Sequence, residues 1–85
     1  MNKEDLEMMT NLAKNVAIYR TKAHLTAKKL SRMIGKPPDF IDKLERLKLK
    51  RVPALYVIIA ISFVLDVGLN DLTNEDYIKS LLEED

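Results

Sequence analysis

A chain of 85 residues holds one small domain with a single core, burying roughly 60–65% of its unfolded surface. The absence of cysteine excludes disulfides and thiolate metal sites and fits a reducing compartment. The net charge of +1 hides a strong internal pattern: residues 1–13 carry −2, residues 14–51 carry +9, and residues 52–85 carry −6. A basic centre between acidic ends points to a face suited to a polyanion. No basic region followed by an apolar stretch marks the N-terminus, so no signal peptide is expected. The longest apolar run, VPALYVIIAISFVL at 52–65, is 14 residues long, too short for a membrane span and suited to a buried helix.

Taken in chain order, Leu6, Met9, Ala13, Val16 and Arg20 step by three and four, with Leu12 and Tyr19 beside them, which predicts a long amphipathic first helix. Thr26 suits the cap of a second helix running through Ile34 and burying Leu30, Met33 and Ile34. Gly35 fits a left-handed C-terminal turn. Pro38 suits the first turn of a third helix, which buries Ile41 and Leu44 with Phe40 alongside. Leu47 to Val52 reads as a basic loop, and Pro53 as the opening of a fourth helix. A turn around Gly68 is expected over Asp66–Asn70. Thr73 with Asp76 resembles a capping box, starting a last helix over about 74–84 with Tyr77, Ile78, Leu81 and Leu82 on one side. No stretch alternates with period two, so the expected fold class is all-α, with five or six helices in one domain over 1–85.

The spacing of Leu30, Ser31, Ile34, Gly35, Ile41 and Leu44 resembles the helix-turn-helix of Cro-like and phage-repressor (XRE-type) regulators, here at about 26–47. The resemblance continues in Tyr19-Arg20 followed by Leu25-Thr26, and in Pro53, Leu55, Ile58, Ile61, Ser62, Leu65, Val67, Leu69 and Leu72. It covers roughly residues 12–72, leaving the C-terminal helix as an addition. The resemblance implies that the start of the third helix lies in the major groove, where side chains reach base edges. The matching positions for base readout are Pro38, Asp39, Asp42, Lys43 and Arg46. Backbone contacts would come from Lys28, Lys29, Lys36, Lys48, Lys50 and Arg51. It also implies an ion pair between Arg20 and Glu45. Two departures stand out: Ala27 replaces a frequent backbone-contacting Gln, and His24 stands where glycine is common.

Carboxylates at the head of a DNA-reading helix are unexpected, and Asp39 and Asp42 admit three readings. They favour the helix dipole, they accept from cytosine N4, or this face no longer grips DNA. The sole histidine, His24, has no partner at ligand spacing, so no metal or cofactor is expected. No catalytic constellation can be assembled, so the chain is not expected to be an enzyme. On the fourth helix Tyr56, Val57, Ala60, Phe63 and Val64 predict an outward apolar stripe. Such a stripe calls for cover by the last helix or by a second chain. The leading expectation is a cytoplasmic transcriptional regulator that binds double-stranded DNA as a homodimer on a near-palindromic operator, with no membrane association. The alternative is a helix-turn-helix scaffold serving as a protein-interaction module of antirepressor or antitoxin type.

Overall fold

Local chemistry sets the first helix. In the computed structural model, which describes residues 1–74 together with 79 and 82, Asn2 Oδ1 accepts the Asp5 N–H at 2.7 Å and caps α1 (Lys3–Lys22). Glu4 and Asp5 at its start and Arg20 and Lys22 at its end complement the helix dipole. Met9, Leu12, Ala13 and Val16 form its buried stripe. Leu6, expected on that stripe, is exposed, because the core against α1 begins only at Met8 and Met9.

Thr26 caps α2 (Ala27–Met33) by accepting the Lys29 N–H at 3.0 Å. Met33, expected to be buried, is exposed, and Leu30 carries the burial on this short helix. The third helix, α3 (Phe40–Glu45), starts later than the sequence suggests. Pro38 precedes it, in a turn closed by Phe40 N–H to the Pro37 carbonyl at 3.0 Å. Residues 38 and 39 thus sit in a tighter turn of the i to i+3 kind, and the first i to i+4 bond of the helix runs from the Lys43 N–H to the Asp39 carbonyl at 3.0 Å. Pro53 likewise lies outside α4 (Leu55–Leu65), in which the N–H groups of Val57 and Ile58 both reach the Ala54 carbonyl. The expected turn around Gly68 resolves into two features: Asp66 takes the left-handed conformation, and Gly68 caps a short α5 (Leu69–Leu72). The Asp71 carboxylate accepts the Gly68 N–H at 2.8 Å.

The helix ends at residues 24, 35, 47 and 66 share one geometry. At each, a left-handed residue lets two N–H groups turn back onto carbonyls near the end of the helix, as Lys36 and Gly35 do onto Ser31 and Arg32 at 2.9 and 3.0 Å. Glycine fills this role at Gly35 (φ 75°), but His24 (φ 58°), Leu47 (φ 60°) and Asp66 (φ 56°) fill it elsewhere.

The architecture is all-α, as expected, with no strand among the described residues. α2 packs on α3, α1 spans α3, α4 and α5, and α4 closes the core against α1, α2 and α5. Leu12, Val16, Leu30, Ile41, Leu44, Ile58, Ile61 and Leu72 meet in one fully buried cluster. Asn15 Nδ2 ties the end of α5 to α1 through the Leu72 carbonyl at 3.0 Å. Tyr77, Ile78 and Leu81 of the expected last helix, and Asp76 of its capping box, lie outside the described residues. Thr73, the proposed start of that box, is buried, with extended backbone, and donates its N–H to the Leu69 carbonyl at 3.0 Å.

Candidate nucleic-acid interface

One small side chain and one ion pair hold α3 against the rest of the domain. Ser31 is fully buried where α2 and α3 cross. Its hydroxyl donates to the Ala27 carbonyl at 2.8 Å and accepts the Ile41 N–H at 2.9 Å. That N–H belongs to the first turn of α3 and has no partner within its own helix. A residue of α2 therefore caps α3, a role that the spacing of the motif does not reveal. On the other side of α3, Arg20 donates from Nε and a terminal nitrogen to both Glu45 oxygens, at 2.7 and 2.8 Å. A third bond reaches the Leu25 carbonyl at 2.8 Å. The pair is mostly buried, and such a two-pronged contact fixes direction as well as distance. Hydrogen bonding to the Glu45 carboxylate holds the Arg20 guanidinium charged beyond its usual range, against the opposing effect of burial and with weaker help from the Glu45 and Asp42 charges.

With Ile41 and Leu44 turned into the core, positions 39, 42, 43 and 46 form the opposite face of α3. Their spacing of three and four places them on one side of a helix. Asp39, although at the N-cap, makes no capping hydrogen bond. Its carboxylate instead pairs with Lys43 Nζ at 3.1 Å, and Asp42 Oδ1 pairs with Arg46 Nε at 3.0 Å. All four side chains are at least half exposed, so these bonds add little to stability. Their effect is on charge: the exposed face of α3 is locally neutral. Pro38 stands exposed just ahead of it.

The remaining cations surround this face in the chain. Lys28 and Lys29, in the first turn of α2, line an open depression of about 420 Å³ with Thr26, Arg32 and Met33. Arg32 was not among the expected contact residues. Lys50 and Arg51 line a groove of about 260 Å³ between the loop and the start of α4, with Lys36, Phe40 and Tyr56. Lys36 is held there: its ammonium lies 5.5 Å from the Phe40 ring and 5.4 Å from the Tyr56 ring, and 3.3 Å from the Tyr56 hydroxyl. Cation–π contact of this kind ties the turn of the helix-turn-helix to α4. Lys48 is exposed in the loop. None of Lys28, Lys29, Lys48, Lys50 and Arg51 makes an ion pair among the described residues.

The apolar face of α4 differs from expectation in one residue lost and one gained. Val57 is buried, because α4 packs against elements on more than one side and its inward arc widens to take in 57 with 58, 61 and 65. Ile59 takes its place outside. The exposed stripe is Tyr56, Ile59 and Phe63, the last 85% exposed, with Ala60 and Val64 half-buried beside it. Leu82 is exposed. Among the described residues no group of three or more His, Cys, Asp and Glu side chains could hold a metal ion, and no helix is long and apolar enough to cross a membrane.

This fold matches the crystal structure of the hypothetical transcription factor NHTF from Neisseria, with a TM-score of 0.71 over 94% of this chain and 90% of that one. The two share 21% sequence identity, so the likeness is one of fold. No protein-family model matches the chain, and no curated protein matches its sequence.

Proposed function

We propose that this protein is a sequence-specific, double-stranded DNA-binding regulator of the Cro and phage-repressor (XRE) type. The observation that carries the reading is the rigid mounting of α3. Ser31 fixes its first turn, Arg20 its last, and its outer face is left to project four charged side chains. Helices held this way read base edges in the major groove. The fold it shares with a hypothetical transcription factor supports the same reading. Lys28, Lys29, Lys36, Lys48, Lys50 and Arg51 bind phosphates, while Asp39, Asp42, Lys43 and Arg46 select sequence. The protein is not an enzyme on this reading, needs no cofactor and acts in the cytoplasm at the nucleoid. It binds a near-palindromic operator as a homodimer through Tyr56, Ile59 and Phe63.

A second reading has support of its own. The neutral face of α3 and the exposed aromatic stripe of α4 also suit a protein-interaction module of antirepressor or antitoxin type. Fluorescence anisotropy on random duplex DNA at about 50 and 200 mM salt separates the two, since counterion release makes phosphate binding fall steeply over that range. The expected result is binding that weakens about tenfold or more, with the Lys48→Ala, Lys50→Ala double variant weaker on every sequence and flatter in its salt slope. Absence of binding at both salts would turn the assignment to the protein-interaction module.

A further inference from the structure

The ion pairs on α3 have a donor–acceptor pattern that matches one kind of base pair. The Asp42–Arg46 contact uses Oδ1 and Nε. Among the described residues, no other hydrogen bond takes up the terminal guanidinium nitrogens or Oδ2. The pair therefore presents two parallel donors and, beside them, one acceptor. Across the major groove a G·C pair offers N7 and O6 as neighbouring acceptors on guanine, followed by the N4 donor on cytosine. In A·T the N6 donor sits between two acceptors, N7 and O4, and the thymine methyl follows. A two-donor edge with a carboxylate next to it thus fits G·C and meets an acceptor where it needs a donor on A·T. Asp39–Lys43 sets a second cation–carboxylate pair three residues earlier in the chain, in which the single ammonium nitrogen of Lys43 keeps two of its three N–H groups for a guanine edge. Three residues advance a helix by about 4.5 Å, against about 3.4 Å per base-pair step, so the two pairs address neighbouring base pairs.

We infer that Asp42–Arg46 and Asp39–Lys43 each act as one reading unit for a G·C pair, so that each half-site contains two adjacent G·C pairs. The inference rests on the DNA-binding reading and adds its specificity. It also answers why the helix leads with carboxylates. They hold the basic groups in place before contact and become the acceptors for cytosine, while the flanking lysines supply the attraction to phosphate.

The test is selection of the full chain on a random duplex library at about 50 mM salt, a range where phosphate binding is strong. Anisotropy then follows on the enriched duplex and on one in which each selected cytosine in turn is replaced by 2-pyrimidinone, which lacks only the N4 amino group. Adjacent G·C pairs should be enriched. Removing the amino group that Asp42 contacts should weaken the protein about tenfold, while Asp42→Ala should bind both duplexes equally. Asp42 is half exposed, so this variant keeps its fold, as circular dichroism would verify. Salt-dependent binding without G·C enrichment, or an equal loss in the wild-type protein and Asp42→Ala, overturns this inference and leaves DNA binding intact. No binding at any salt overturns both.

Discussion

Ser31 shows how much one hydroxyl can decide. Its oxygen satisfies an N–H of α3 that is buried and has no other partner, and in doing so sets the distance between the two helices of the motif. Ser31→Ala keeps the small volume but strands the Ile41 N–H, at a cost of about 1–3 kcal/mol. Urea unfolding followed by circular dichroism measures this, and an unchanged midpoint would remove Ser31 from the account. Because Ser31 supplies the cap, Asp39 is free to pair with Lys43. Arg20 works at the same scale. Its folded-state pKa lies above the unfolded value, so its contribution is complete at every pH below the free guanidinium's value. It is lost only as pH rises through the still higher folded value. On the arginine side, the clamp on α3 is therefore constant across the neutral range.

At the scale of elements, the helix ends are the informative feature. Leu47 follows α3 in the left-handed region, where a β-carbon crowds the following carbonyl. The return bonds Leu47 N–H to Leu44 and Lys48 N–H to Lys43, at 3.1 and 2.8 Å, keep it there. Glycine takes this conformation without the clash, so Leu47→Gly is expected to raise stability by up to about 1 kcal/mol, reduced by the entropy glycine loses on folding. A thermal melt checks the sign. A clear loss would show that the half-exposed Leu47 side chain contributes more by packing than it costs in backbone strain. Glycine marked only Gly35 among these ends in the sequence. His24, Leu47 and Asp66 adopt the same geometry because the return hydrogen bonds outweigh the local preference.

For the whole molecule, the exposed stripe of Tyr56, Ile59 and Phe63 on α4 is the surface that decides assembly under the proposed function. Phe63→Glu places a charge at its most exposed point without touching the core. It should leave the melting temperature of the isolated chain nearly unchanged, shift sedimentation toward a single protomer, and weaken binding to a paired site more than to a half-site. Equal sedimentation of the two proteins would detach this stripe from dimer formation. Tyr56 also holds Lys36, so the assembly surface and the basic groove meet at one side chain.

Periodicity and turn chemistry by themselves determined the helical class and the order of the helices, from spacings of three and four that a helix converts directly into faces. The resemblance to Cro-like regulators, not spacing, implied the helix-turn-helix register and the pairing of Arg20 with Glu45, which lie 25 residues apart. The spacing of four between Asp39 and Lys43 and between Asp42 and Arg46 stands in the sequence, but that both pairs form and leave one exposed face neutral is seen only in the structure. Tertiary structure alone decided the rest. Ser31 meets Ile41 because two helices cross there. Lys36 finds the Tyr56 ring from 20 residues away. Val57 turns inward while Ile59 turns outward, because burial on α4 depends on how many neighbours pack around it. A one-dimensional pattern states which residues share a side of a helix, but which side the core covers is settled by the other helices.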